Sequence, residues 1–238
     1  MKLLTFNIRH GGGTRCDGIC AAIEAHQPDI VVLTEFRQGS SGTRIRDTLR
    51  AGGWRHQECS NPPEKTNGVL VAASADFAPC ARPRNVPLGS WRWLECQFET
   101  FLLVATYFPL GEPKLPYWDW FLAQASSRVN RPSILIGDFN TGKHLIDEAG
   151  RTFVGSEYME RLENVGYVDA WRDVHPDTRE FTWYSAAKNG FRLDYAFLSP
   201  EMRKRLRSAT HSHSEREQRI SDHSALIVEF DGATGFLK

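Results

Sequence analysis

Short apolar runs recur along the chain, and several end in a polar residue able to carry chemistry. Residues 2–6 run into Asn7, 30–33 lead to Glu35 and 102–105 deliver Thr106-Tyr107; Ser-Ile-Leu-Ile at 133–136 is followed by Gly137-Asp138-Phe139-Asn140. Runs this short, rich in β-branched residues and bounded by Gly or Pro, predict buried strands. Further strands are expected at 67–72, 94–98, 181–184, 191–198 and 225–230. Residues two apart on an extended chain share a face, so Asp138 and Asn140 leave the core side by side. Asp194 falls inside the alternating run 191–198 and faces away from Leu193. An acid placed there needs a partner, because an unpaired buried charge is costly.

Between the strands, the spacing of apolar positions predicts helices over 17–26, 43–51, 116–128 and 157–165. The first stops before Pro28, the second at Gly52-Gly53 and the fourth at Gly166. Trp118, Phe121, Leu122 and Ala125 form the apolar stripe of the third, which reads as a core face. Arg44, Arg46 and Arg50 give the second a basic face, which reads as solvated, and the basic 202–207 reads as a solvated turn or helix. No repeat, low-complexity tract or linker divides the chain, so a single α/β domain over 1–238 is expected.

At 238 residues the chain is long enough for one large core or two small ones. Lys plus Arg equals Asp plus Glu, 29 each, so net charge argues for no particular partner, although a local basic patch fits a neutral total. The cysteines (Cys16, Cys20, Cys59, Cys80, Cys96) are odd in number and lack a zinc-type double pair, which predicts free thiols. The first residues carry one cation and soon turn polar, unlike a signal peptide, and no apolar run reaches membrane-spanning length. A reduced, cytoplasmic, monomeric protein with no membrane partner is expected.

The strand-end residues form one set: Asn7, Glu35, Tyr107, Asp138, Asn140, Asp194, Asp222 and His223. An oxygen-rich set of this kind suits Mg²⁺ or Mn²⁺ rather than zinc. A divalent ion with an acid to take a proton from water and a His to stabilise an oxyanion fits phosphate-ester hydrolysis. The chain has no phosphate-binding Gly-x4-Gly-Lys-Ser/Thr segment, so a nucleoside triphosphate loop is not indicated. Taken singly, Asp138 and Asn140 also suit an ordinary turn, and Tyr107 an ordinary half-buried tyrosine. Recurrence at several strand ends favours a site.

Six segments carry a resemblance: Thr5-Phe6-Asn7, Thr34-Glu35, Tyr107-Phe108-Pro109, Gly137-Asp138-Phe139-Asn140, Arg192-Leu193-Asp194-Tyr195 and Ser221-Asp222-His223. In this order and spacing they resemble the endonuclease/exonuclease/phosphatase superfamily, and within it the exonuclease III and AP endonuclease branch. Tyr107 stands where deoxyribonuclease I and sphingomyelinase relatives usually show a His. The resemblance implies a four-layer α/β sandwich, two face-to-face mixed β-sheets flanked by helices, with the site where the strand ends meet. Glu35 and Asn7 would hold Mg²⁺ or Mn²⁺, with Asp222 at a second metal position. Asp138, with Asn140 beside it, would activate the attacking water. His223, oriented by Asp194, would bind the scissile phosphate, and Tyr107 would support the transition state or the leaving oxygen.

By the same resemblance, Trp183, Phe191 and Leu193 would wall a pocket for an extruded abasic sugar, although core packing alone also accounts for them. Arg9, Lys65, Lys114 and Arg192 are candidates for DNA phosphate contacts. The implied activity is AP endonuclease incision 5′ to an abasic site, leaving 3′-OH and 5′-phosphate ends, or 3′→5′ exonuclease action, on abasic or nicked duplex DNA. The 185–190 loop is shorter than in AP endonucleases, and Leu110 replaces a frequently polar position, so duplex grip is expected to be weaker. The alternatives are a phosphodiesterase, phosphatase or non-specific nuclease of the superfamily acting on another phosphate ester, and an inactive binding module.

Overall fold

A computed structural model describes residues 1–150 and 153–231, so the domain expected over 1–238 is described within those limits. The strands of the first half are β1 (Lys2–Asn7), β2 (Ile30–Phe36), β3 (His56–Cys59), β4 (Gly68–Ala73), β5 (Ala78–Pro79), β6 (Trp93–Gln97) and β7 (Leu102–Tyr107). Those of the second are β8 (Ser133–Asp138), β9 (Val168–Asp169), β10 (Trp183–Tyr184), β11 (Gly190–Phe191), β12 (Asp194–Leu198), β13 (Leu206–Ser212) and β14 (Ala225–Phe230). The helices are α1 (Cys16–His26), α2 (Ser40–Ala51), α3 (Lys114–Ser126), α4 (Glu157–Asn164), α5 (Ala170–Val174), α6 (Pro200–Arg203) and α7 (Ser214–Glu217).

Two six-stranded sheets result, ordered β13-β14-β1-β2-β4-β3 and β5-β6-β7-β8-β12-β9. Each has one parallel pair at its centre, β1 with β2 and β7 with β8, flanked by antiparallel neighbours. Alternation along the strands sorts the side chains into layers. Leu3, Ile30 and Val32 meet Leu103, Ala105, Ile134, Ile136 and Ala196 between the sheets. The opposite faces pack outward, Leu4, Val31 and Leu33 against α1 and α2, and Val104, Leu135 and Phe197 against α3 and α4. The four-layer sandwich is therefore present.

Local departures from the sequence reading have local causes. The run 191–198 is interrupted, because the Arg192 amide donates to Asp147 O and the Leu193 carbonyl accepts from the Phe139 amide. Phe181 and Thr182 precede β10 rather than belonging to it. The basic 202–207 divides between α6 and the start of β13, an edge strand whose polar outer face hides its period. Arg44 pairs with Asp17 and Arg50 with Asp47, so the basic face of α2 is solvated, as expected. All five cysteines are free thiols.

Gly137 shows what the strand end requires. Its φ of 140° lies where L side chains are rare, and a Cβ there would sit 2.0 Å from the Thr106 carbonyl oxygen. Gly137→Ala is expected to cost about 2–3 kcal/mol through that strain. Urea unfolding measures it; a loss below about 0.5 kcal/mol would show that β8 relaxes freely away from β7.

Candidate active site

The layer between the sheets changes from apolar to polar at one end, and the site lies there. Asn7 continues the face of Leu3, Tyr107 that of Ala105, Asp138 that of Ile136, and Asp194 that of Ala196. Asp138 and Asp194 stand directly opposite each other on antiparallel β8 and β12. Asn7 Nδ2 donates to Asp138 Oδ2 at 2.8 Å and more weakly to Glu35 Oε1 at 3.3 Å.

Glu35 arrives by a different route. Strict alternation on β2 would place it with Val31 and Leu33, facing α2. Instead the register against β4 shifts between Thr34 and Phe36, and Glu35 takes φ 55°. This bulge re-aims one side chain toward the cavity and returns Phe36 to the outer core. Glu35 Oε2 accepts from the His10 amide at 2.7 Å, while Oε1 receives only the long contacts from Asn7 and from Tyr107 Oη at 3.4 Å.

Burial sets the electrostatics. Desolvation, reinforced by Asp194 across the ladder, pushes the Asp138 carboxyl up to about 7. His223 is raised to about 9: burial opposes the charge, but Asp194 outweighs it and accepts from Nδ1 at 2.9 Å. His223 thus presents a protonated Nε2 at the cavity. Desolvation pushes the Tyr107 phenol well above its usual range, so it stays a donor. The loop carrying His223 is tied to the end of β1, since Ser221 Oγ donates to Asn7 O at 2.6 Å.

Behind that loop the Ser224 amide donates to Thr182 O, and Ser224 Oγ meets His213 Nδ1 at 2.7 Å. His211 and His213 flank Glu180, with His213 Nε2 at 2.5 Å, and hold its carboxyl down at about 2 from an ordinary 4.5. A depressed carboxyl stabilises the fold above its unfolded value, and that stability drains as pH falls through 4.5 towards 2. Wild type should therefore lose its advantage over Glu180→Gln across this window, by about 1 kcal/mol after solvent screening. Urea midpoints for both proteins test it; parallel curves would refute the linkage.

These groups border a cavity of about 340 Å³ whose walls include Trp183, Phe191, Leu193 and Leu110. The sequence-predicted Glu35, Tyr107, Asn140, Asp222 and His223 also line it, and Asn7, Asp138 and Asp194 stand directly behind. Asn140 is turned by φ 47° instead of continuing the strand; its amide donates to Asp138 Oδ1 and its Nδ2 to Phe108 O. Arg9 reaches the rim, Nε 3.7 Å from Asp222 Oδ2. Lys65 is exposed beside Glu64, away from the cavity lining.

Two expected phosphate contacts are corrected. Arg192 is fully buried, pairing with Asp147 at 2.8 Å and Asp169 at 2.5 Å, so it belongs to the core. Lys114 is buried with Nζ on the Asn140 carbonyl oxygen, and desolvation lowers it to about 8. It supports the Asn140 turn from beneath.

The structure adds residues the sequence reading missed. His10 holds Glu35 through its amide and lies 3.0 Å from Oε2 through Nδ1. Asn67 Nδ2 lies 3.5 Å from Tyr107 Oη, and Arg37 Nε donates to Asn67 Oδ1. Phe153 closes the apolar wall, its ring 5.4 Å from Phe191. Glycines 11–13 were the available signal for His10; nothing linear links Asn67 or Phe153 to the site.

The donor set suits a divalent cation. Among the described residues, Asp222 Oδ1 is buried without a hydrogen-bond partner, and the almost buried Glu35 Oε1 has only long ones. Asp138, Asp194 and His223 also offer ligand atoms within 4.8 Å of one another. There, however, Nδ1 of His223 is spent on Asp194 and the ring is protonated, which favours an acid–imidazolium pair. Among the described residues, no helix is long and apolar enough to cross a membrane.

The model of the Endonuclease/Exonuclease/phosphatase family matches residues 4–223. Exodeoxyribonuclease III of Haemophilus influenzae is 23% identical over 272 aligned positions, covering 97% of this chain and 100% of the relative. A DNA-(apurinic or apyrimidinic site) endonuclease of Dictyostelium discoideum is 23% identical over 236 positions, covering 85% of this chain and 63% of its own length. The solved AP endonuclease from Archaeoglobus fulgidus superposes with a TM-score of 0.84 at 20% identity, over 98% of this chain and 100% of that one. A 3′ phosphatase from Neisseria, solved with a product DNA hairpin, gives 0.83 at 23% identity over the same shares. The superpositions establish a shared fold. A family match over nearly the whole length makes the protein a phosphodiester hydrolase: it belongs to the endonuclease/exonuclease/phosphatase family.

Proposed function

We propose that the protein is a divalent-metal-dependent DNA phosphodiesterase that incises duplex DNA 5′ to abasic sites, or resects it from 3′ ends, leaving 3′-OH and 5′-phosphate termini. The observation that carries this reading is the buried Asp138 carboxyl, joined to Asn7 and clustered with Asp194 and His223 at the polar end of an apolar-walled cavity. The names of the relatives support DNA as the polymer.

Glu35 and Asn7 would hold Mg²⁺ or Mn²⁺, with Asp222 at a second position. Bound there, the ion would neutralise phosphate charge. Asp138, poised near neutrality, takes the proton of the attacking water, and Asn140, on the same turn, helps place that water. His223 Nε2 donates to a non-bridging phosphate oxygen while Asp194 fixes the ring. Tyr107 donates to an oxygen of the pentavalent transition state or to the departing 3′ oxygen. Trp183, Phe191 and Leu193 receive the extruded sugar, which leaves the stack most cheaply where the base is already gone.

A labelled duplex with a central abasic analogue, beside an undamaged control, tests this with Mg²⁺, Mn²⁺ and chelator. Incision 5′ to the lesion that needs metal is expected. If both duplexes survive while a simple aryl phosphodiester is hydrolysed, the substrate is another phosphate ester and the DNA reading is refuted.

A further inference from the structure

Beside the catalytic cavity runs a second groove of about 450 Å³, lined among others by Arg9, Tyr184, Lys188, Arg216, Arg219 and Asp222. Four of these are cations and one is an acid, in a chain whose total charge is zero. Arg9 approaches Asp222 at 3.7 Å, but among the described residues Lys188, Arg216 and Arg219 have no carboxylate within ion-pair distance. Such an excess is unfavourable on its own account and gains from an anion.

The cations are held in place. The Arg216 guanidinium lies 4.5 Å above the Tyr184 ring and its Nε donates to Ser224 Oγ at 3.1 Å, which among the described residues leaves both terminal nitrogens for a ligand. Lys188 and Arg219 occupy hydrogen-bonded turns at φ 65° and 59°, a conformation that glycine or asparagine adopts at lower cost. Asp222 borders both the groove and the cavity, so the two are continuous.

Resting on the DNA reading above, we propose that this groove is a second phosphate subsite, which grips the backbone of the substrate strand where it continues beyond the scissile phosphate. A strand carries one phosphate per about 3.4 Å of axis, so a neighbour of the scissile group meets these cations as the strand leaves the cavity. The substrate is then a polynucleotide with at least one phosphate beyond the reacting one, and Lys188, Arg216 and Arg219 set its affinity and register rather than its chemistry.

The test pairs wild type with Lys188→Gln/Arg219→Gln, residues without ion pairs among the described residues. KM for an abasic duplex at about 150 mM salt should rise roughly tenfold with kcat nearly constant, and the slope of log affinity against log salt should fall by about 1 per removed contact. Lys188→Arg/Arg219→Lys should restore both. If wild type incises the duplex and the Gln variant keeps the wild-type KM and slope, the subsite is refuted and the DNA reading stands. If wild type leaves DNA intact, both fall together.

Discussion

Asp138→Asn is expected to slow phosphodiester hydrolysis by about 10²–10⁴-fold, the range a general base contributes. Single-turnover incision of an abasic duplex at saturating metal measures it, with KM held within a factor of about three because the variant keeps the shape of the site. The carboxylate does more than fill space: it accepts from Asn7 and from the Asn140 amide while standing opposite Asp194. Its native pKa of about 7 lies above the ordinary 3.8. The folded state therefore keeps a proton that the unfolded chain releases, and this group's support for the fold is complete below 3.8 and gone above about 7. In chelator at about pH 8 the Asn variant should melt at or above wild type. An inactive variant that melted far below wild type would point to a broken fold rather than a missing base.

Arg192→Met is expected to cost about 3–5 kcal/mol of stability, equivalent to roughly 10 °C in Tm for a chain this size. The guanidinium bridges Asp147 and Asp169, both buried, and lies 4.2 Å from the Tyr195 ring centroid. Removing it strands two carboxylates, of which, among the described residues, only Asp147 keeps another cation, Arg172 at 3.0 Å. Lys at this position restores charge but not the planar fork that reaches both acids, so rescue should be partial. Thermal melting decides the matter. A variant that melts like wild type yet shows a weaker salt dependence of DNA binding would return Arg192 to the surface role its charge suggests.

Arg192 also shows why part of the site was legible in the sequence and part was not. Its neighbour Asp194 could be read as a buried acid in need of a partner, because alternation along one strand is a local property. The partners of Arg192 lie 45 and 23 residues away, and nothing local distinguishes a buried guanidinium from a solvated one. Lys114 fails for the same reason, since its partner is a backbone carbonyl beneath the Asn140 turn. Asn7, Tyr107 and Asp138 were visible because each ends a short apolar run and keeps its phase. Glu35 was found by its neighbours and not by its phase: alternation alone aims it at α2, and the bulge that corrects this depends on pairing with β4. Strands β3 and β13 were missed because edge strands carry polar residues and lose the apolar signature.

The ordering of the first sheet has a consequence for biosynthesis. Its β1 is sandwiched between β2, which follows soon after, and β14, so that the Met1 amine reaches the Phe230 carbonyl oxygen across 229 positions of chain. A nascent polypeptide can form the β1–β2 pair early, but that sheet keeps an open flank until residue 230 has left the ribosome. Asp222 and His223 emerge only just ahead of that closing strand. At about 5–20 residues per second the wait lasts on the order of ten seconds or more, with an apolar edge exposed to chaperones throughout. The same delay leaves the candidate site incomplete while the chain is being made, because a product halted before residue 222 lacks both of these side chains.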